Sequence, residues 1–274
     1  MTALSELGRR TLVMGVINVT PDSFSDGGQF LAPADAVDHG LSLLDAGADI
    51  LDVGGESTRP GAGEVSAGEE KARIVPVIHA LAEMRPDAVL SIDTRKATVA
   101  EAAIDAGAAV VNDVSGFGFD PDMPALCAER GVYVVLMHIR GTPETMQRGE
   151  IVYDDVVDDI CDWLAERIAL AVEAGVDERR IIVDPGIGFG KTVRHNLDII
   201  RRLDEFRRLG CPVLIGTSRK RFIGELTDRA QPDERTFGTA ATVALSVASG
   251  ADVVRVHDVA EMVDVVRVAD ALVR

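Results

Sequence analysis

The 274-residue sequence has little cysteine, little lysine and no tract of positive charge. Its three cysteines, Cys127, Cys161 and Cys211, lie far apart and form no C-x-x-C pair, which excludes a disulfide framework and a thiolate zinc site. They read as small buried hydrophobes. Only four residues are lysines: Lys71, Lys96, Lys191 and Lys220. The 28 Lys and Arg stand against 45 Asp and Glu, a net charge of −17, and such a surface repels nucleic-acid backbones and anionic lipid. No stretch approaches the roughly 18 apolar residues of a membrane span. Met1 to Arg10 lacks the apolar core and small-residue site of a secretory leader, so a cytoplasmic location is expected. With no linker, charge block or low-complexity tract to mark a boundary, residues 1–274 read as one domain.

What the sequence does contain is a recurring unit: a short aliphatic run that ends in a polar residue, then a loop, then helical spacing. The first four runs are Leu12 to Ile17 before Asn18, Asp49 to Val53 around Asp52, Ala88 to Ile92 before Asp93, and Ala108 to Val111 before Asn112. Val132 to Met137 before His138, Arg180 to Val183 before Asp184, Pro212 to Ile215 before Gly216, and Asp252 to Val256 before His257 complete the set of eight. Continuous Val/Ile/Leu runs mark strands buried on both faces, as in parallel sheets covered by helices. Helical spacing follows, as in Glu70 to Met84 behind a Ser66-to-Glu69 capping box and in Asp154 to Gly175. Eight such repeats predict a single-domain (β/α)8 TIM barrel, with a doubly wound open sheet as the competitor. In the barrel every polar strand end would converge on one mouth. Three long connections, Asn18 to Pro33, Gly54 to Val65 and His138 to Tyr153, would lie over that mouth.

The segment Asp184-Pro-Gly-Ile-Gly-Phe-Gly-Lys-Thr192 imitates a phosphate-binding P-loop and fails as one. The position five before Gly190 holds Pro185, which has no N–H to offer a phosphate. It reads instead as a sharp exit turn that presents the Asp184 carboxylate. Asp93, Asn112 and Asp184 suit either the donor edge of a flat heterocycle or a metal. The basic groups Ser218-Arg219-Lys220 and Arg255-Val-His257 fall after strands seven and eight, where barrels bind phosphate, and they point to an anionic ligand. Two loops dense in Gly, Pro, Ser and Asp, Asn18 to Gly28 and Asp52 to Gly61, read as covers. Asn18 and Asp26 offer hard oxygens to a Mg²⁺ shared with pyrophosphate. Of the remaining histidines only His138 is at a strand end, and it reads as structural.

These strings, together with Ser91-Ile-Asp-Thr94, Asn112-Asp-Val-Ser115 and Arg255-Val-His-Asp258, resemble in order the dihydropteroate synthase family nearly end to end. The resemblance implies joining of 6-hydroxymethyl-7,8-dihydropterin pyrophosphate to p-aminobenzoate, through a dissociative route in which Mg²⁺-assisted loss of pyrophosphate precedes arylamine attack. Asp93, Asn112, Met137, Asp184 and Lys220 would bind the pterin, and Asn18, Arg59, Arg255 and His257 the pyrophosphate. Phe24, Thr58, Pro60, Gly188, Phe189 and Ser218 would bind p-aminobenzoate, and Asn18 and Asp26 the Mg²⁺. The catalytic set would be Asn18, Phe24, Asp26, Lys220, Arg255 and His257. The partners are then small molecules and a second copy of the chain, through Ala240 to Ala248 and the final helix. Arg221 departs from relatives that carry Ser there. The rivals are a pterin-binding corrinoid methyltransferase, a non-catalytic pterin sensor, and a Schiff-base aldolase through Lys191 or Lys220. The aldolase would need a desolvated lysine, which the surrounding sequence does not lead one to expect.

Overall fold

A computed structural model describes residues 3–20, 33–57 and 63–274. Eight strands run parallel: β1 (Leu12–Asn18), β2 (Ile50–Gly54), β3 (Val89–Asp93), β4 (Val110–Asp113), β5 (Tyr133–Met137), β6 (Ile181–Asp184), β7 (Leu214–Ile215) and β8 (Val253–Val256). They pair in the order β6-β5-β4-β3-β2-β1-β8-β7. The parallel bridge Val183↔Val213, with Val183 N–H donating to Pro212 O at 2.9 Å, brings β6 against β7 and closes the ring. First and last strands pair, so the fold is the (β/α)8 barrel and not the open sheet. β7 is shorter than its aliphatic run. Pro212 has no N–H for the ladder and Val213 gives its N–H to the Asp252 side chain at 2.9 Å, leaving two residues as strand.

Helices α1 (Pro33–Asp45), α2 (Ala67–Met84), α3 (Ala97–Asp105), α4 (Met123–Arg130), α5 (Val156–Glu173), α6 (Val193–Arg201), α7 (Arg221–Thr227), α8 (Thr236–Ala248) and α9 (Val259–Val273) surround the strands. The capping box expected at α2 is half made. The Ser66 hydroxyl accepts from Glu69 N–H at 3.3 Å, but the Glu69 side chain goes to Arg73 Nη2 at 2.6 Å instead of returning to Ser66. Asp155 caps α5 by accepting from the N–H groups of Val157 and Asp158. Among the described residues no helix is long and apolar enough to cross a membrane. All three cysteines are buried and free.

The main core lies between strands and helices. A second apolar layer lies inside the barrel: Leu12, Met14, Ile50, Val89, Val110, Val135, Ile182, Leu214 and Val253, joined by Leu4 of the N-terminal 3-10 turn. This layer is the floor of the site.

Candidate functional site

Side chains alternate across a strand, so a residue two beyond a floor residue also points into the barrel. From Ile50, Val89, Val110, Val135, Ile182 and Val253 this step leads to Asp52, Ser91, Asn112, Met137, Asp184 and Arg255. A further step leads to Asp93 and His257. The ladder places Asp52 beside Ser91, Asp93 beside Asn112, and Met137 beside Asp184. The interior therefore turns from apolar to charged within one residue pair along the strands.

One cavity at this end is lined by Asp93, Asn112, Val114, Met137, Asp184, Phe189, Gly216, Ser218, Lys220, Arg255 and His257. Nine of the residues singled out in the sequence thus meet round a single space, although they come from eight strands and connections. Asn18 and Gly188 are not on its wall. Asn18 ends β1 next to Gly54, and Gly188 backs Lys220, whose Cδ lies 3.2 Å from where a Gly188 Cβ would be. Phe24, Asp26, Thr58, Arg59 and Pro60 lie outside the described residues.

Beneath the cavity, Asp52 is wholly buried and accepts three hydrogen bonds: from Ser91 Oγ at 2.6 Å, Asn112 Nδ2 at 2.9 Å and Arg255 Nε at 2.6 Å. A carboxylate only accepts, so the Asn112 amide must give it the NH₂ and present its oxygen to the cavity. Asp184 spends one oxygen on Gly186 N–H at 2.7 Å and leaves the other for the cavity. Asp93, Asn112 and Asp184 therefore form an edge of acceptors. That edge complements a heterocycle rich in N–H donors.

Sequence reasoning gave Asp52 no role. The available signal was its parity with Ile50, since a carboxylate one step above an apolar floor residue must face inward.

Arg255 joins the two halves of the site. Nε reaches Asp52 and Nη2 reaches Asp93 Oδ2 at 2.8 Å, so one cation serves two carboxylates and Nη1 is left for an anion. Burial pushes Asp93 up to about 7; Arg255 opposes this, while the charges of Asp52, Glu70 and Asp113 add to it. Burial also raises Asp184, against the pull of Lys220. Lys220 donates to Ile187 O and lies 4.6 Å from the centre of the Phe189 ring. Burial lowers it to about 8, with Asp184 opposing. His257 and Ser218 meet through Nδ1 and Oγ at 3.0 Å.

The β6 exit turn forms as its glycines require. Gly186 has φ +70°, and a Cβ there would come within 1.9 Å of His138 O, so no side chain fits. Lys191, from the same turn, is buried and faces three acceptors: His138 Nδ1 at 2.8 Å, Phe189 O at 3.1 Å and His138 O at 3.4 Å. This corrects the expectation that neither strand-end lysine is desolvated. Burial brings Lys191 well below the ordinary lysine range. It is occupied in tying the β5 exit to the β6 exit. His138 stacks edge-on against Trp163 at 5.0 Å and is pushed down to about 2 by burial and by Lys191, a neutral structural ring.

The basic strings also separate. Arg219, at φ +58°, gives its guanidinium to Asp258 and takes no part in the cavity. Arg221 is exposed and pairs with Glu225 at 2.7 Å.

An acceptor edge facing Lys220 and Arg255 at the C-terminal mouth of a barrel defines a protein that binds a donor-edged heterocycle with an anionic tail. The sequence matches the pterin binding enzyme family over residues 14–257. The dihydropteroate synthase of Synechocystis sp. is 47% identical over 271 residues, 99% of this chain and 93% of that protein. The dihydropteroate synthase of Xanthomonas albilineans solved with 4-aminobenzoic acid superposes with a TM-score of 0.89 at 47% identity, covering 96% of this chain and 93% of that one. The X. albilineans dihydropteroate synthase in complex with 7,8-dihydropteroate gives 0.86 at 44% identity, covering 96% and 94%. The chain belongs to the dihydropteroate synthase family of pterin-binding enzymes.

Proposed function

We propose that this chain condenses 6-hydroxymethyl-7,8-dihydropterin pyrophosphate with p-aminobenzoate to give 7,8-dihydropteroate and pyrophosphate. The observation that carries the reading is the Asn112 amide, turned by Asp52 so that the cavity offers the pterin only acceptors along one side. Asp93, Asn112 and Asp184 receive the pterin amino and ring N–H groups, while Lys220 donates to its carbonyl or ring nitrogen beside Phe189. Arg255 and His257 hold the pyrophosphate. As the bond between methylene carbon and oxygen breaks, its electron pair leaves with pyrophosphate, where these cations receive the charge. The buried carboxylates stabilise the positive charge left on the pterin. The arylamine nitrogen then bonds to the methylene and releases a proton. No general base or activated nucleophile is required, only exclusion of water.

Asn18 fits as one hard-oxygen ligand for Mg²⁺, with Asp26 as the second. Mg²⁺ takes few protein oxygens and fills its shell with phosphate and water. When bound it would neutralise charge on the leaving group. Arg59 closes the pyrophosphate site, and Phe24, Thr58, Pro60, Gly188, Phe189 and Ser218 serve p-aminobenzoate. The reaction belongs in the cytoplasm, where three free buried thiols persist.

The assay is formation of 7,8-dihydropteroate from the two purified substrates with Mg²⁺; methyl transfer without that product would refute the reading. In that assay kcat/KM follows a bell. It falls as pH drops through about 7, because protonated Asp93 stops accepting from the pterin. It falls as pH rises through about 8, because neutral Lys220 gives up its charge.

The chain also pairs with a second copy. Phe237, Ala241, Leu245 and Ala248 recur along one exposed face of α8, with Phe237 91% exposed, next to the exposed Val268 and Leu272 of α9. Sedimentation should give about twice the 29.1 kDa chain mass, and Phe237→Glu should halve it.

A further inference from the structure

The connection from β2 to α2 carries Thr58, Arg59 and Pro60, and a single lysine holds both of its described ends. Lys96, at the start of α3, is 7% exposed. Its Nζ donates to Val65 O at 2.7 Å, to Glu70 Oε2 at 2.6 Å and to Glu56 Oε2 at 3.0 Å. All three ammonium donors are thereby used. The second oxygen of Glu56 accepts from Val65 N–H at 2.9 Å. The leading end at Glu56 and the trailing end at Val65 are thus joined twice, directly and through the lysine. Arg73 secures the same end by donating to Gly55 O at 2.7 Å, and Arg95 Nε lies 3.5 Å from Glu56.

Packing does not account for this network. Glu70 is wholly buried in α2, and its Oε1 has no hydrogen-bond partner. A buried carboxylate with an orphaned oxygen destabilises relative to an apolar residue of the same shape, and replacing such an ion pair with hydrophobes is often neutral or better. What an apolar pair cannot do is grip the Val65 carbonyl and the Glu56 carboxylate at one point. That grip fixes where the chain leaves the barrel mouth and where it returns.

We propose that Lys96, braced by Glu56 and Glu70, is a positioning residue for the arylamine half of the reaction. It fixes the ends of the β2–α2 connection without touching either substrate. This rests on the function proposed above, in which Thr58 and Pro60 serve p-aminobenzoate and Arg59 the pyrophosphate. The pterin edge is built on β3, β4 and β6, and among the clamp residues Glu70 acts on it through its charge, which helps raise Asp93, so pterin affinity is compared on the alkaline side of the Asp93 transition.

The test is Lys96→Met, compared with the unaltered chain by steady-state kinetics in both substrates, calorimetry with 6-hydroxymethylpterin, and amide hydrogen exchange at Val65. The expected result is a rise of roughly 10- to 100-fold in KM for p-aminobenzoate, unchanged pterin affinity and faster exchange at Val65. A uniform fall in kcat with KM for p-aminobenzoate unchanged, or a parallel loss of pterin affinity, is the signature of a merely structural residue and overturns the proposal. If Lys96→Met does not fold, Glu56→Gln keeps an acceptor for Val65 N–H while removing the charge. It must raise the same KM, and an unchanged value overturns the proposal. Failure of the unaltered chain to make dihydropteroate would defeat the proposed function instead. Exchange at Val65 reads the clamp separately, and equal exchange in variant and parent refutes it whatever the activity.

Discussion

An Asp52→Asn chain should lose about 100-fold or more in kcat/KM and unfold about 10 °C lower, although residue 52 is not on the cavity wall. Three donors converge on Asp52, and a carboxylate has lone pairs for all of them. An amide has one accepting oxygen; in the place of Oδ2 it still receives Asn112 and Arg255 and turns its NH₂ to the Ser91 hydroxyl, which can accept, but it carries no charge. The loss falls first on Arg255, whose Nε–Oδ2 contact is a buried charged hydrogen bond. Breaking such a pair from one side costs roughly 3–5 kcal/mol.

The second loss is informational. In the flipped orientation of the new amide an NH₂ lies beneath Asn112, whose own NH₂ then turns toward the cavity and repels the N–H groups it is placed to receive. Thermal unfolding and steady-state kinetics measure the two effects. The pH profile provides a signed control. The charge of Asp52 is one of the causes that hold Asp93 up near 7, so its removal should move the acid limb to lower pH. An unmoved limb would mean that the limb belongs to another group.

Replacing Asp184 by Asn should have the opposite balance, with stability nearly intact and pterin affinity reduced by a factor of about 1,000. The residual oxygen of the new amide can still accept from Gly186 N–H, so the exit turn keeps its tether and the fold should survive. The cavity-facing oxygen becomes an NH₂, and an acceptor on the pterin edge becomes a donor facing a donor. Sites built around specific polar pairs discriminate far more strongly than apolar pockets, by factors of 10⁴ or more in favourable cases, because the mismatch leaves buried groups unpaired. The value of about 1,000 allows for the two acceptors that remain, Asp93 and Asn112. Calorimetry with 6-hydroxymethylpterin measures it directly, and affinity within a factor of a few of the parent would contradict the placement of Asp184 on that edge.

The two variants test different parts of one arrangement. Asp184 meets the ligand, whereas Asp52 sets the groups that meet it. The same division separates Arg255 from Arg219. Both lie near strand ends in basic strings, and nothing local distinguishes them. Arg219 closes on Asp258, 39 residues away, while Arg255 reaches Asp52, 203 residues away. Lys191 and Lys220 present the same problem, since a lysine's desolvation depends on what the fold packs round it. Lys191 is buried against His138, 53 residues distant, and its flanking glycines gave no sign of that.

The sequence by itself determined the repeat and its parity. Eight aliphatic runs bury strands on both faces, and alternation along each strand sends Asp93, Asn112, Asp184, Arg255 and their neighbours inward above an apolar floor. Those are local consequences of backbone geometry and hydrophobic burial, and they are legible wherever the run is long enough. The tertiary structure decided which inward groups are spent on one another and which remain for a ligand. Hydrogen bonds and charge pairing are satisfied between strands distant in sequence, so only closure of the ring could show Asp52 orienting Asn112 and sharing Arg255 with Asp93.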